Sequence, residues 1–514
     1  MSETVHAASP VASGVPPKGG PDARLPRLTS RRFTPFIAAR AGPHRHAIRL
    51  IGYKTGMNSS PRIDTGALRT EIKGGIVAPE DPAWDQARQA WNLVADQHPA
   101  LVVQAANADD VAATVRFASA AGIRVAPQCF GHGAASLGDL DQAILLRTTG
   151  MTDVSIDLDR RTATVSAGAA WRDLIGPAAE HGLVGLHGMS AGVGVTGYAL
   201  GGGIGWLSRL HGLASTHIHS LKVVIADGQT RHVDADNEPE LFWALRGGGG
   251  GPAVVTSMEI ALFELRQAYA GTLMWPIQAA CEIVHGYREW TLTAPDEVTS
   301  TIRLLRFPPL PAIPDQVRGR ELVAITLAFT GSEAEGNELV SPLRALGRPY
   351  LDTLATIPAP ALAEISGDPQ DPTPAIGNGL LLERFTGETA DTYLELGGPD
   401  AQTPFVQLEI RHLGGALNST SPEPGAAGPL TSQALVFATG VPVDPAVRAA
   451  LDSAHDALRD RMSPWIGERG ALLTFDERVG TLRGAFTAPV ADRLAAVTRS
   501  HDPDGLFIAN HVAD

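Results

Sequence analysis

The stretch from Gly182 to Gly205, GLVGLHGMSAGVGVTGYALGGGIG, constrains this chain more than any other. Glycine gives up side-chain packing and loses more conformational entropy on folding than any other residue, so a core has no use for it at this density. It supplies backbone that takes positive φ and lies close against something bulky and polar. Successive uncovered N–H groups then form a concave anion site. A flexible linker would be Gly/Ser-rich and polar. Here Leu183, Val184, Leu186, Met189, Val193, Val195, Tyr198, Ala199 and Leu200 are interleaved with the glycines and require burial. The stretch reads as a buried phosphate-binding loop.

A chain of 514 residues exceeds what one core usually serves, so two domains are expected. The formal net charge of −14 argues against a general nucleic-acid binder and against docking on an acidic membrane surface. Cys129 and Cys281 are the only cysteines, so there is no disulfide framework. No apolar run approaches the ~20 residues of a membrane helix. Residues 1–60 are rich in Pro, Ser, Ala and Gly, show no period and read as a disordered leader, with order beginning near Pro61. Ser30-Arg31-Arg32 has the look of a twin-arginine export signal, but Pro35, Arg40, Pro43, His44 and Arg45 break up any apolar segment after it. A cytoplasmic protein is therefore expected.

Further along, Pro99 to Val103 reads as a buried strand. Asn107 caps a helix with Asp110 at its third position, and Gly122 ends that helix before a strand at Ile123 to Ala126. This strand–helix–strand order suggests a parallel pair. Val154 to Asp157 and Thr162 to Ser166 form a hairpin, and Asp227-Gly228 turns another between Leu221 to Ala226 and Thr230 to Val233. After Leu265 the texture changes. Ile302 to Arg306, Leu322 to Phe329 and Pro404 to Ile410 read as sheet strands, and Glu333 to Leu346 and Ala446 to Arg461 as covering helices.

Three glycine loops, Gly131–Gly138, Gly182–Gly205 and Gly247–Gly251, suit one long ligand such as a diphosphate dinucleotide. A Rossmann fingerprint is not met: GYALGGGIG does not sit as G-x-G-x-x-G between a first strand and its helix, and no acidic residue closes a second strand at the right distance. The P-loop pattern is absent. His132 lies between Gly131 and Gly133, which strip away steric cover and bring its imidazole against whatever the loop cradles.

These residues resemble the vanillyl-alcohol oxidase / para-cresol methylhydroxylase (PCMH-type) flavoproteins, and among them the berberine bridge enzyme-like oxidases. The resemblance runs from about Trp91 to Leu265 and over the last forty or so residues. Its covalent-flavin motif falls at Phe130-Gly131-His132-Gly133, and its long glycine loop at Gly194-Val195-Thr196-Gly197 through Gly201-Gly202-Gly203-Ile204-Gly205. Leu207 to Ala214, Arg246 with its glycines, and His501-Asp502-Pro503-Asp504-Gly505-Leu506-Phe507 match three further motifs. The resemblance implies an α+β fold with a discontinuous FAD-binding domain (61–265, with 471–514 returning to it) and a substrate domain (266–470) built on an antiparallel sheet covered by helices. It implies FAD, joined once, through His132. It also assigns cofactor contacts to Ala134, Ser136, Leu137, Gly192, Trp206, Ile218 and Asn510 beside the loop residues already named. No metal is implied. Ser190 stands where many relatives carry a second linking cysteine, so no thioether can form. Leu472-Leu473-Thr474 replaces the Y-x-N pattern whose tyrosine is a usual candidate for proton removal.

A base must therefore come from elsewhere. Strand alternation over Phe405 to Ile410 puts Gln407, Glu409 and Arg411 on one face and His412 on the other. Glu409 is the leading base, Gln407 its orienting neighbour and Tyr198 the alternative; the rival reading is that Glu409 and Arg411 pair on a solvated face. The expected function is an FAD-dependent oxidase taking a hydride from an alcohol or C–H donor of a sugar or secondary metabolite and reducing O2, acting as a monomer or homodimer. A flavin-dependent oxygenase and a flavin-holding protein without catalysis are the alternatives.

Overall fold

The computed structural model describes residues 63–419 and 424–512. The expected leader and its boundary near Pro61 lie outside them.

The first sheet grows around the helix at Ala108–Ala121. The Asn107 side chain accepts from the N–H of Asp110, and Gly122, at φ +65°, closes the far end in the left-handed region. The Asp110 carboxylate does not turn back to Asn107. It accepts instead from the N–H groups of Lys73, Gly74 and Ala106, tying the helix start to the preceding strand. Strand order is Gly75–Val77, Leu101–Gln104, Ala143–Arg147, Arg124–Gln128, the last three parallel. The strands flanking the helix are thus parallel but not paired: Ala143–Arg147, fully buried, lies between them. Local order foretold the direction of these strands, and the later strand took the central place because both its faces are apolar.

A second, five-stranded antiparallel sheet follows the order Val154–Asp157, Thr162–Ser166, Val254–Ala261, Ile218–Val224, Thr230–Val233. Its core takes Leu241, Phe242 and Leu245 from the helix Pro239–Leu245 and Leu494 and Val497 from the helix Ala488–His501 near the chain's end. The tail is fastened to the first sheet as well. Val125 N–H donates to Leu506 O and Ile508 N–H to Val125 O, both at 2.8 Å. Asp502, buried, shapes that turn by accepting from the N–H groups of Leu506 and Phe507.

The third sheet is antiparallel, in the order Leu351–Asp352, Gln267–Pro276, Glu321–Phe329, Val298–Arg306, Gln407–His412, Ala434–Gly440, Ile376–Leu382, with Ala355–Pro358 also on Gln267–Pro276. Leu273, Ile325, Ile302, Ile410, Val436 and Leu380 share one face and bury against the helices Ala280–Thr291, Glu333–Ala345, Gly387–Gly397 and Pro445–Met462. The opposite face is polar, carrying Thr272, Thr326, Arg303 and Glu409. Ile204 and Leu213, from the second glycine loop and just after it, bury with Leu381, Leu435, Leu472 and Phe475 at the margin of this polar face. Arg209 ties the same region down. Buried in the segment after the glycine loop, it donates to the carbonyls of Val298, Leu413, Ala294 and Pro295 and to Asp296.

Candidate cofactor and substrate site

The first loop leaves the strand Arg124–Gln128. Gly131 takes φ +85°, and a Cβ there would lie 2.9 Å from Ala90 Cβ and from Gln128 Oε1. Trp91 N–H donates to Phe130 O and Asn92 N–H to Gly131 O. The His132 ring stacks on Trp91, with centroids 4.2 Å apart and planes 16° from parallel. Burial, with a smaller push from Arg172, lowers the imidazole to about 4, so the ring is neutral at physiological pH. Among the described residues, nothing accepts from the N–H groups of Gly131, His132 and Gly133. Three successive free N–H groups can form a nest, and they lie on this first loop rather than in the Gly182–Gly205 stretch where the anion site was expected. Asn510 braces its rim, donating to Gly133 O at 2.6 Å and Ser136 Oγ at 2.8 Å. Ala134 and Leu137 are buried beside it, Leu137 packing with Ala126, Leu140 and Ile508.

The second loop meets the first. A Cβ on Gly194 would lie 3.3 Å from Cys129 Sγ and 3.5 Å from the Phe130 ring. Gly194 precedes the short helix Val195–Leu200, anchored by Val195 N–H donating to Ala169 O. Gly202 and Gly203 sit at φ +108° and +77°; a Cβ on Gly203 would come 2.5 Å from the Tyr198 ring. Gly201 approaches Thr474, and Gly205 approaches the backbone of His187. Gly197 faces open space, and Gly192 N–H reaches Ser190 Oγ at 3.4 Å. Around this loop Thr196 Oγ1, Tyr198 OH, Trp206 Nε1, Ser215 Oγ and Thr474 Oγ1 are buried without a partner among the described residues. Unsatisfied polar atoms and an open nest in one place fit a bulky polar ligand carrying phosphates.

The remaining expected contacts divide. Trp206 packs among Met189, Ala268, Ala270 and Ala328. The Ile218 side chain lies in the second sheet's core and its N–H already donates to Ser215 O. In the third glycine run, Gly247 and Gly248 are crowded by the chain's own Ala427 and Leu494, so these two serve packing rather than a ligand. Tyr198 is wedged edge-on to Trp171 at 5.6 Å, and burial raises its phenol, the reverse of what a base needs.

On the polar sheet face, Glu409 is 2% exposed. Arg411 Nε donates to its Oε1, and Gln407 Nε2 to its Oε2 at 3.2 Å. The three residues share a face as strand phase required, and the ion pair exists, but the face is buried rather than solvated. Both carboxylate oxygens are engaged. Arg411 also lies 4.6 Å from the Phe475 ring centroid. Arg303 stands opposite Glu409 in register and donates to Ser366 O and Thr326 Oγ1. Burial raises Asp368 above the usual carboxylate range; Arg303 opposes that rise, Glu409 adds to it and Arg411 opposes it. Sequence reasoning missed Arg303 and Asp368. An arginine inside the apolar run Ile302 to Leu305 was a usable signal; Asp368, in a proline-rich loop, left none. Leu472 and Thr474 pack beneath Gly202 and Gly201, with no phenol at this position.

The sequence pattern of the FAD binding domain matches residues 99–234. The chain is 32% identical over 290 residues to (R)-6-hydroxynicotine oxidase of Paenarthrobacter nicotinovorans, covering 56% of this chain and 62% of that protein. It is 32% identical over 232 residues to glucooligosaccharide oxidase of Sarocladium strictum, covering 44% and 46%. These alignments span less than two thirds of either relative. The crystal structure of 6-hydroxy-D-nicotine oxidase from Arthrobacter nicotinovorans superimposes with a TM-score of 0.75 at 25% identity, over 86% of this chain and 98% of that one. The berberine bridge enzyme-like protein 1 of Physcomitrella patens shares the fold, with a TM-score of 0.76 at 17% identity over 87% and 98%.

Proposed function

We propose that this chain, which carries the FAD binding domain pattern and is similar to FAD-linked oxidases of the vanillyl-alcohol oxidase / para-cresol methylhydroxylase and berberine bridge enzyme-like kind, is an oxidase of a small alcohol or C–H donor, a sugar or secondary metabolite, with O2 as electron acceptor. The observation that carries this reading is the open nest at Gly131–Gly133 in contact with the second glycine loop, beside a buried polar sheet face. When bound, FAD supplies a two-electron acceptor that O2 can reoxidise.

The chain's own residues divide the remaining work. The nest N–H groups and the glycine backbone of residues 194–203 would hold the phosphate-bearing part of FAD. His132 would carry the covalent link, its neutral ring offering the free lone pair that such a link needs. Ser190 makes the link single. Glu409, oriented by Gln407 and Arg411, orders the substrate on the sheet face and is the leading proton acceptor. Arg303 adds a cation to that face, and Asp368 a carboxyl group close enough to feel its charges, which favours a substrate rich in hydrogen-bonding groups.

Purified protein is mixed anaerobically with mono- and oligosaccharides and with aryl and polyketide alcohols. Bleaching of the yellow colour, followed in air by peroxide equal to substrate consumed, supports the oxidase. Labelled oxygen appearing in the product replaces it with an oxygenase, a reading favoured by Leu472-Leu473-Thr474 lacking the usual phenol. No bleaching by any compound overturns catalysis in favour of a flavin-holding protein.

A further inference from the structure

A cavity of about 390 Å³ opens beside the first loop, and nothing above assigns it a role. Ala134, Ala135 and Gly138, just after His132, form one wall. Gln97, Asn378 and Glu477 supply its polar groups. Among the described residues, Gln97, 6% exposed, finds no partner for its Oε1 or its Nε2, and Asn378, 8% exposed, finds none for its Oδ1. Glu477 Oε2 accepts from Gly377 N–H at 2.9 Å and from Asn92 Nδ2 at 3.5 Å, while its Oε1 has no partner among the described residues. Asn92 adjoins Trp91, which stacks on His132, so this cavity is two residues from the expected cofactor link. Polar side chains buried this deeply and left unpaired cost stability unless something occupies them.

We propose that this cavity is a binding subsite for a neutral, hydroxyl-rich ring, held by Gln97, Asn378 and Glu477, and that it takes the part of the substrate remote from the oxidised carbon. The proposal rests on the oxidase reading for its role, though not for its existence. Three acceptors and one amide donor match hydroxyl groups, which donate and accept at once. The cations on its walls are already engaged: Arg448 pairs with Asp452, and Arg478 with Asp476. Asp96 pairs with Arg88 and His98. No free cation remains among these for an anionic ligand.

Burial pushes the Glu477 carboxyl up to about 7, helped by Asp476 and resisted by the Gly377 N–H. Its ionised form is the stronger acceptor for a ligand hydroxyl, so affinity should rise as pH passes through that range. The charged groups that face it are Asp476 and Arg478 on its own segment, Arg448 and Asp452 across the cavity, and Asp96, paired with His98, on the third wall.

The test is calorimetric titration of the holoprotein, anaerobically, with glucose and myo-inositol as neutral probes and cyclohexylamine and benzoate as charged ones. The neutral probes should bind, and up to about tenfold tighter at pH 8 than at pH 6. Gln97→Leu should weaken them at least about tenfold, and Glu477→Gln should abolish the pH dependence while leaving the fold intact by circular dichroism. Binding by the amine or benzoate alone, no binding at all, or an unchanged pH dependence in Glu477→Gln would each overturn the subsite. Because no turnover is measured, this outcome is separate from that of the bleaching experiment.

Discussion

Arg411 and Glu409, two residues apart on one strand, form an ion pair on a sheet face sealed from solvent. Buried pairs of this kind contribute little net stability when complete and cost much when halved. Arg411→Met should lower unfolding free energy by about 3–5 kcal/mol, because it strands a carboxylate. Glu409→Leu/Arg411→Met should recover much of that loss. Urea unfolding of the single and double variants checks this, and additive losses would show that the two residues do not act as a pair.

For catalysis, Glu409→Gln keeps the volume and the Gln407 neighbour but removes basicity. Anaerobic flavin reduction by a true substrate should slow by ~10²–10⁴-fold, with flavin content unchanged. A rate within a few-fold of wild type would make Glu409 structural, and Tyr198, buried with a raised phenol, is a poor successor.

The covalent link is read by acid precipitation. Wild-type protein should leave yellow colour in the pellet, and His132→Ala should release it to the supernatant. A yellow pellet from His132→Ala would require a second attachment that Ser190 cannot provide.

The glycines of the second loop are not equivalent. Gly203 combines φ +77° with a Cβ path blocked by Tyr198 and Ala214, and Gly202 combines φ +108° with Leu472 at 3.2 Å. Gly203→Ala and Gly202→Val should both yield colourless or insoluble protein. Gly197, in the short helix with no protein atom within 4 Å, should accept Ala with the fold intact and a gain of roughly 0.5–1 kcal/mol in the flavin-free protein. Equal flavin loading in all three variants would mean that the loop does not carry the cofactor.

Proton linkage gives a further check through Glu477. Its folded-state carboxyl is raised from 4.5 to about 7, so the folded protein binds more protons than the unfolded one between those values. Its contribution to stability is complete below about 4.5 and is lost as pH rises through about 7. Glu477→Gln should therefore gain Tm relative to wild type as pH rises from 5 to 8. His132 and His211, both lowered to about 4, work in the opposite sense: they destabilise the fold as pH falls from 6.5. A Tm difference between Glu477→Gln and wild type that stays flat with pH would contradict the buried carboxyl.

What the sequence determined by itself was whatever depends on backbone chemistry over a few residues. Gly122, Gly131, Gly202 and Gly203 take positive φ because only glycine does so without strain, and that need is written at each position. Asn107 caps its helix, and residues 407, 409 and 411 share a face because strands alternate with period two. The family motifs rest on the same local geometry. What only the tertiary structure decided was the company each side chain keeps. Strand Ala143–Arg147 separates two strands that are closer in sequence, because central position follows burial on both faces rather than chain order. Asp368 reaches the Glu409–Arg411 pair, and Glu477 reaches Asn92 from 385 residues away. Whether a carboxylate is a free base, half of an ion pair or a proton reservoir depends on desolvation and neighbouring charge, and both are supplied by segments that no local pattern links.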